Sequence, residues 1–147
     1  AVVAVNCLGD VVDPASGGIL AGACQQEPFR FLDSEAGLLQ QCEKLGNRFA
    51  GNTTIGVVLT NAQLTKAQAV KVSSMAHDGY ARTMRPAHTM LDGDTIFTLS
   101  VGAVAADLSA VGALAAQVMA QAVLTAVREA RPLAGFTAMR DLNPPKG

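Results

Sequence analysis

Three short constellations in this sequence have residue types and spacing suited to chemistry. The first is Gly51-Asn52-Thr53-Thr54, where a polar stretch runs straight into a run of strand formers. If the bond between Asn52 and Thr53 were cut, Thr53 would present a hydroxyl able to attack a carbonyl. It would also present a free α-amine, of reference pKa about 7.7–8.0, able to take the hydroxyl proton at neutral pH. Nucleophile and base in one residue is the N-terminal-threonine solution to activating a weak alcohol. The plain alternative is a pair of threonines that simply open a strand. The second constellation is Asp92-Gly93-Asp94. Two carboxylates one residue apart at a strand mouth can hold an ammonium or hydroxyl and raise an amine's pKa by opposite charge. A plain turn competes. A calcium loop is disfavoured, because no further oxygen ligands follow at the offsets such loops need. The third is Asn6, after the first strand, whose side-chain amide can donate to an oxyanion or, alternatively, bond its own turn.

These groups need rigid supports, and the pattern supplies them. Val2–Val5 reads as a buried strand, and Ile19-Leu20-Ala21 as a short second one after the turn at Asp13-Pro14 and Gly17-Gly18. Residues 23–52 are polar and read as an exposed linker with one weak helix, Ser34 to Leu45. Thr53 to Thr60 lacks polar alternation, which predicts a strand covered on both faces. Thr65 and Gln68 have capping-box spacing, and Ala69, Val72, Ala76 and Tyr80 share one face of the helix they open, which fades near Met84. Thr95–Val101 is the next strand. Ser109 to Arg131 is a small-residue-rich helix stopped by Pro132, and the tail from Leu133, with Pro144-Pro145, is expected to be loose. Strand, linker, strand, helix, strand, helix predicts an α/β layered domain with parallel pairing across the crossovers, although an antiparallel sheet stays open.

Composition narrows the classes. The chain has 147 residues, is 50% hydrophobic and only 16% charged, which fits a buried core and argues against disorder. A net charge of -1 gives no electrostatic footprint for nucleic acid or an anionic membrane. The apolar stretches read as too short or too interrupted to span a bilayer. Cys7, Cys24 and Cys42 have no metal-type spacing, so free thiols in a reducing cytosol, and hence a cytoplasmic protein, are expected. Cys7 lacks an evident base partner. His77 and His88 sit in no metal pattern, and there is no P-loop, dinucleotide fingerprint or Gly-x-Ser-x-Gly elbow, so no cofactor and no metal are expected. The chain opens at Ala1 directly into an apolar run without a basic leader, as though the numbering began in mid-protein.

Taken together, Val5-Asn6 with Gly9-Asp10-Val11 and Asp13, then Asn52-Thr53-Thr54-Ile55-Gly56-Val57-Val58, Thr60-Asn61, Leu64-Thr65-Lys66, Ala76-His77-Asp78-Gly79, Arg85-Pro86 and Asp92-Gly93-Asp94-Thr95-Ile96-Phe97 resemble one family. It is the L-aminopeptidase/D-esterase family of self-cleaving hydrolases, and the nylon-oligomer hydrolase branch is the most similar because it uses Thr where many relatives use Ser. The resemblance implies a four-layer αββα sandwich of which this chain is the C-terminal portion. Residues 1–52 would then end the larger α subunit and 53–147 form the smaller β subunit. By position, Thr53 matches the nucleophile, Asp92 and Asp94 the acidic pair beside it, and Asn6 the oxyanion asparagine. The family's Tyr and Lys from earlier in the α subunit have no counterpart here. The implied function is hydrolysis of an amide or peptide-like substrate after cleavage at Asn52–Thr53, in a homo-oligomer, tetramer-like, that includes the absent N-terminal part. Two alternatives stand beside it: an acyltransferase of the ornithine-acetyltransferase kind, sharing the fold and the self-cleaving threonine, and a non-enzymatic assembly module.

Overall fold

The structure, a computed structural model, describes residues 1–40 and 51–142. Cys42, the end of the expected 34–45 helix and the Pro144-Pro145 tail lie outside those residues. The helices follow from local sequence. Helix α2 (Lys66–Thr83) starts at the predicted capping box: Gln68 N–H donates to Thr65 Oγ1 (3.3 Å) and Thr65 N–H to Gln68 Oε1 (2.8 Å). It ends where Met84 turns extended, ahead of Pro86. Helix α3 (Leu108–Glu129) is capped by Asp107, whose carboxylate accepts the Ala110 N–H at 2.8 Å.

Strands β1 (Val2–Ala4), β6 (Ile55–Ala62) and β8 (Thr95–Val104) form the main sheet in the order β1-β6-β8. The crossover through α2 makes β6 and β8 parallel, as predicted, with Ile55 beside Thr95 and Leu59 beside Leu99. Strand β1 is antiparallel to β6, and it is an edge strand with Val2 63% exposed, not the buried strand expected from its composition. A second antiparallel sheet joins β3 (Ile19–Ala21), β2 (Asp10–Val12) and β7 (Met84–Arg85). The stretch expected as a bare linker carries a small hairpin, β4 (Cys24–Gln25) with β5 (Arg30–Phe31), and helix α1 (Ser34–Gln40). Asp10, 1% exposed, ties these together by accepting from Ser34 N–H and Oγ (both 2.7 Å) and from Ala23 N–H (3.2 Å). The tail is likewise more ordered than expected: Ala138 is buried and α4 (Met139–Leu142) follows it.

The core lies between α2, α3 and one face of the main sheet, where Val58, Val72, Ala76, Tyr80, Ile96, Met119 and Val123 are buried. Of the expected helix face, Val72, Ala76 and Tyr80 are all 0% exposed, while Ala69 at its start is only half-buried. Residues alternate across the sheet: Val58 and Ile96 point into this core, while Ile55, Leu59, Phe97, Leu99 and Val101 are exposed on the other side. Among the described residues, strand β6 is therefore covered on one face only, and the other face is apolar and open. Helix α3 also departs from the sequence reading. It runs for 22 residues and is long and apolar enough to cross a membrane. Here its small residues instead pack on α2, with Ala115, Ala116, Met119, Ala120 and Val123 buried.

The approach of α2 to α3 rests on Gly79. A Cβ there would meet Ala116 O at 2.5 Å and Ala120 N at 2.9 Å, both backbone atoms that cannot swing aside. Gly79→Ala is expected to lower stability by about 2 kcal/mol through overpacking, read as an earlier denaturant midpoint of the full-length protein. An unchanged midpoint would mean that the helices separate freely.

Candidate active site

The Asn52–Thr53 junction sits at the head of β6, where the chain still runs parallel to the segment leading into β8. An isolated bridge pairs Asn52 with Asp92, and Thr95 N–H donates to Thr54 O at 3.0 Å. Both sides of the junction peptide are held. Its carbonyl oxygen, Asn52 O, accepts from Gly93 N–H (2.9 Å) and from Thr53 Oγ1 (2.7 Å). Its nitrogen, Thr53 N, donates to Asn6 O at 2.8 Å. Thr53 is half-buried, and Thr54 beyond it is fully buried.

The other expected residues, Asn6, Asp92 and Asp94, meet here. Asn6 reaches the junction through its main chain: besides its carbonyl on Thr53 N, its own N–H donates to Thr54 Oγ1 at 3.3 Å. Asp92 anchors the loop. Its Oδ1 accepts Leu8 N–H (3.1 Å), and its Oδ2 accepts both Thr89 N–H (3.1 Å) and Thr89 Oγ1 (2.7 Å). Asp94 holds Thr54, with Oδ1 accepting Thr54 N–H at 2.8 Å. Its Oδ2 is buried and has no hydrogen-bond partner among the described residues.

Three participants were not singled out from sequence as site residues. Gly93 contributes only a backbone N–H, so no side-chain pattern could reveal it. Thr89, three residues before Asp92, is visible in hindsight as a loop-closing hydroxyl. Tyr80 was assigned to the core face, which is correct, but its Oη is buried without a partner among the described residues, beneath Gly56, where a Cβ would lie 2.5 Å from it. Burial, and then the charge of Asp94, raises the Tyr80 pKa, so the phenol stays neutral. Burial likewise pushes the Cys7 thiol up to about 11, and its Sγ donates to Gly9 O at 3.0 Å, which argues against a thiolate nucleophile. Among the described residues, no group of three or more His, Cys, Asp or Glu is placed to hold a metal. An open depression of about 400 Å³ has Asn6 in its wall, but Thr53, Asp92 and Asp94 do not line it.

The loop that carries Thr89 to Asp94 leaves β7 and turns at His88, whose φ is 57°. His88 Nε2 lies 2.9 Å from His77 Nδ1 on α2. Burial, and next the neighbouring His88, hold the His77 pKa below its ordinary 6.5, while Asp94 and Asp78 pull it upward. The unfolded chain therefore takes this proton before the folded one. Stability contributed by neutral His77 is present above pH 6.5 and is lost as pH falls through its lower, folded-state value. The urea midpoint of the full-length protein is expected to drop on acidification below 6.5, and His77→Gln to make that drop shallower. An identical slope in the variant would remove His77 from the account.

A family model described as Peptidase family S58 matches residues 1–140. The chain belongs to peptidase family S58. An uncharacterized aminopeptidase of Mycobacterium tuberculosis is 42% identical over 159 residues, which cover 95% of this chain and 46% of the relative. An uncharacterized aminopeptidase of Mycobacterium leprae is 44% identical over 154 residues, 92% of this chain and 42% of the relative. A 6-aminohexanoate-oligomer endohydrolase of Kocuria sp. is 28% identical over 144 residues, 87% of this chain and 40% of the relative. The resemblance seen in the motifs is thus borne out, nylon-oligomer hydrolases included. The S58 segment spans less than half the length of these relatives.

Proposed function

We propose that the full-length protein is an amide-bond hydrolase activated by its own cleavage between Asn52 and Thr53, after which Thr53 is the nucleophile. The observation that carries this is the hydroxyl of Thr53 resting 2.7 Å from the oxygen of the carbonyl it would attack, while Gly93 holds that same oxygen. Attack of Oγ1 on the Asn52 carbonyl carbon closes a five-membered ring. The C–N bond then breaks, the proton passes to the Thr53 nitrogen, and the resulting ester is hydrolysed. Asn6 O, already on that nitrogen at 2.8 Å, accepts a hydrogen bond from the amine as it forms. In turnover the amine takes the Oγ1 proton, Oγ1 attacks the substrate amide, and water releases the acyl group. Asp94 keeps the strand in register through Thr54, Asp92 fixes the loop, and the Asn6 side-chain amide is assigned to the oxyanion formed from the substrate in turnover.

Residues 1–52 would end the larger subunit and 53–147 make the smaller one. The open apolar face of the main sheet, with Ile55, Leu59, Phe97, Leu99 and Val101, supports a second sheet packing there to complete the αββα sandwich. That sheet, the remaining pocket walls and the homo-oligomer would come from the rest of the chain and from neighbouring copies, in the cytoplasm. Relatives named as aminopeptidases and as a 6-aminohexanoate-oligomer endohydrolase support a peptide-like substrate.

The test is intact mass with N-terminal sequencing of the full-length protein, followed by a panel of amides and esters with and without an amine acceptor. A fragment beginning Thr-Thr-Ile-Gly and hydrolysis of an amide are expected. Acyl transfer outrunning hydrolysis would favour an acyltransferase. Absence of both cleavage and turnover would favour an assembly module, and an active, uncut protein would overturn the proposal.

A further inference from the structure

We infer that the main-chain N–H of Gly93 is the oxyanion donor for cleavage of the Asn52–Thr53 bond. The inference rests on the self-cleavage proposed above and adds the group that stabilises its charge. As Oγ1 bonds to the Asn52 carbon, the carbonyl oxygen becomes an alkoxide. Two donors touch that oxygen beforehand, Thr53 Oγ1 at 2.7 Å and Gly93 N–H at 2.9 Å. The first withdraws as the reaction proceeds, because Oγ1 gives up its proton and becomes the attacking atom. Gly93 N–H stays, and its hydrogen bond strengthens as charge develops, which is the condition for lowering a barrier and not merely binding the ground state.

The requirement for glycine at 93 is spatial. Its φ is not in the left-handed region, so an L-residue could adopt the backbone. A Cβ there, however, would lie 2.7 Å from Thr53 Oγ1 and 3.7 Å from Thr53 Cβ and Cγ2, displacing the nucleophile. The direction of the N–H is set by the residue before it. Asp92 is tied to Leu8 N–H and to both donors of Thr89, and it pairs with Asn52 across the bridge. The chain thus delivers one amide hydrogen to one carbonyl oxygen without using any side chain of residue 93.

The bonds balance within the chain and one water. Oγ1–C forms, C–N breaks, and the hydroxyl proton ends on the Thr53 nitrogen. Water then supplies OH to the Asn52 carboxyl group and returns a proton to Oγ1. Gly93 N–H is not transferred at any stage.

The decisive variant replaces residue 93 of the full-length precursor by glycolic acid, which turns one main-chain amide into an ester and removes only the N–H. Processing, followed by intact mass, is expected to slow by about 100-fold or more. Processing at the wild-type rate would overturn the inference. A Thr53→Ala precursor run alongside separates the two ideas: if it is cut, self-cleavage itself fails, whereas if it stays whole while the glycolate variant is cut normally, only Gly93 is excluded. Should the glycolate protein not fold, Gly93→Ala decides, because processing within about threefold of wild type would contradict the crowding at Thr53 on which the site depends.

Discussion

Full-length protein carrying Thr53→Ala is expected to remain one uncut chain and to have no amidase activity. The substitution removes a single hydroxyl and one methyl group from a half-buried residue. The lost hydrogen bond to Asn52 O contributes only about 1 kcal/mol to folding, so the variant folds and its melting temperature moves little. On the proposed mechanism its chemistry is lost altogether, because alanine has nothing to attack with and no α-amine is freed. The contrast between near-normal stability and absent processing is the informative part. A strand-opening threonine with no further role would give the first without the second. Thr53→Ser keeps the hydroxyl and is expected to process, more slowly, since the Cγ2 methyl no longer restricts the rotamer that holds Oγ1 against the carbonyl. Intact mass after timed incubation checks both variants.

The second large effect is expected from Asp92→Ala, where fold and chemistry fail together. Asp92 accepts from Leu8 N–H and from both donors of Thr89, so its removal strands three donors and frees the loop from the β1–β2 connection. Hydrogen bonds to a charged group contribute about 1.5–3 kcal/mol each. Solvent can reach this half-buried site and recover part of that, which leaves a net loss of about 2–4 kcal/mol. Processing should fall by at least about 100-fold, because Gly93 N–H no longer meets Asn52 O in a fixed direction. Asp92→Asn keeps one acceptor oxygen and the shape, and is expected to recover most of the stability but only part of the rate. Denaturant midpoints and processing rates measured on the same preparations test this. Asp92→Ala with wild-type processing would show that the loop is held without its carboxylate.

How much of this was legible in the residues depends on what kind of signal each part leaves. Helix α2 was readable because its cap, its stripe of Val72, Ala76 and Tyr80 and its terminating Pro86 are all local. The parallel pairing of β6 and β8 followed from the crossover that such a helix imposes. Thr53, Asp92 and Asp94, each open by itself to a plain strand start or turn, stood out through the ordered series of motifs that carries the family resemblance. The functions of Asp92 and Asn6 were less legible. Asp92 binds backbone and Thr89, and Asn6 holds the junction through its carbonyl and N–H, which every residue possesses. Gly93 is the extreme case, a donor with no side chain at all. The exposure of β1 and of half of β6 escaped for another reason: apolar composition reports that a face is to be covered, not whether the cover lies within these 147 residues.

The hold on the Asn52 carbonyl has a meaning beyond the cut itself. Before cleavage, the chain's own peptide occupies the place beside Thr53 Oγ1 and Gly93 N–H that an incoming amide would need. On the proposed mechanism the uncut protein is therefore a zymogen blocked by its own first substrate. Breaking the bond is then only half of activation. The new carboxylate of residue 52 is a resident product, and the site opens to others when that end withdraws.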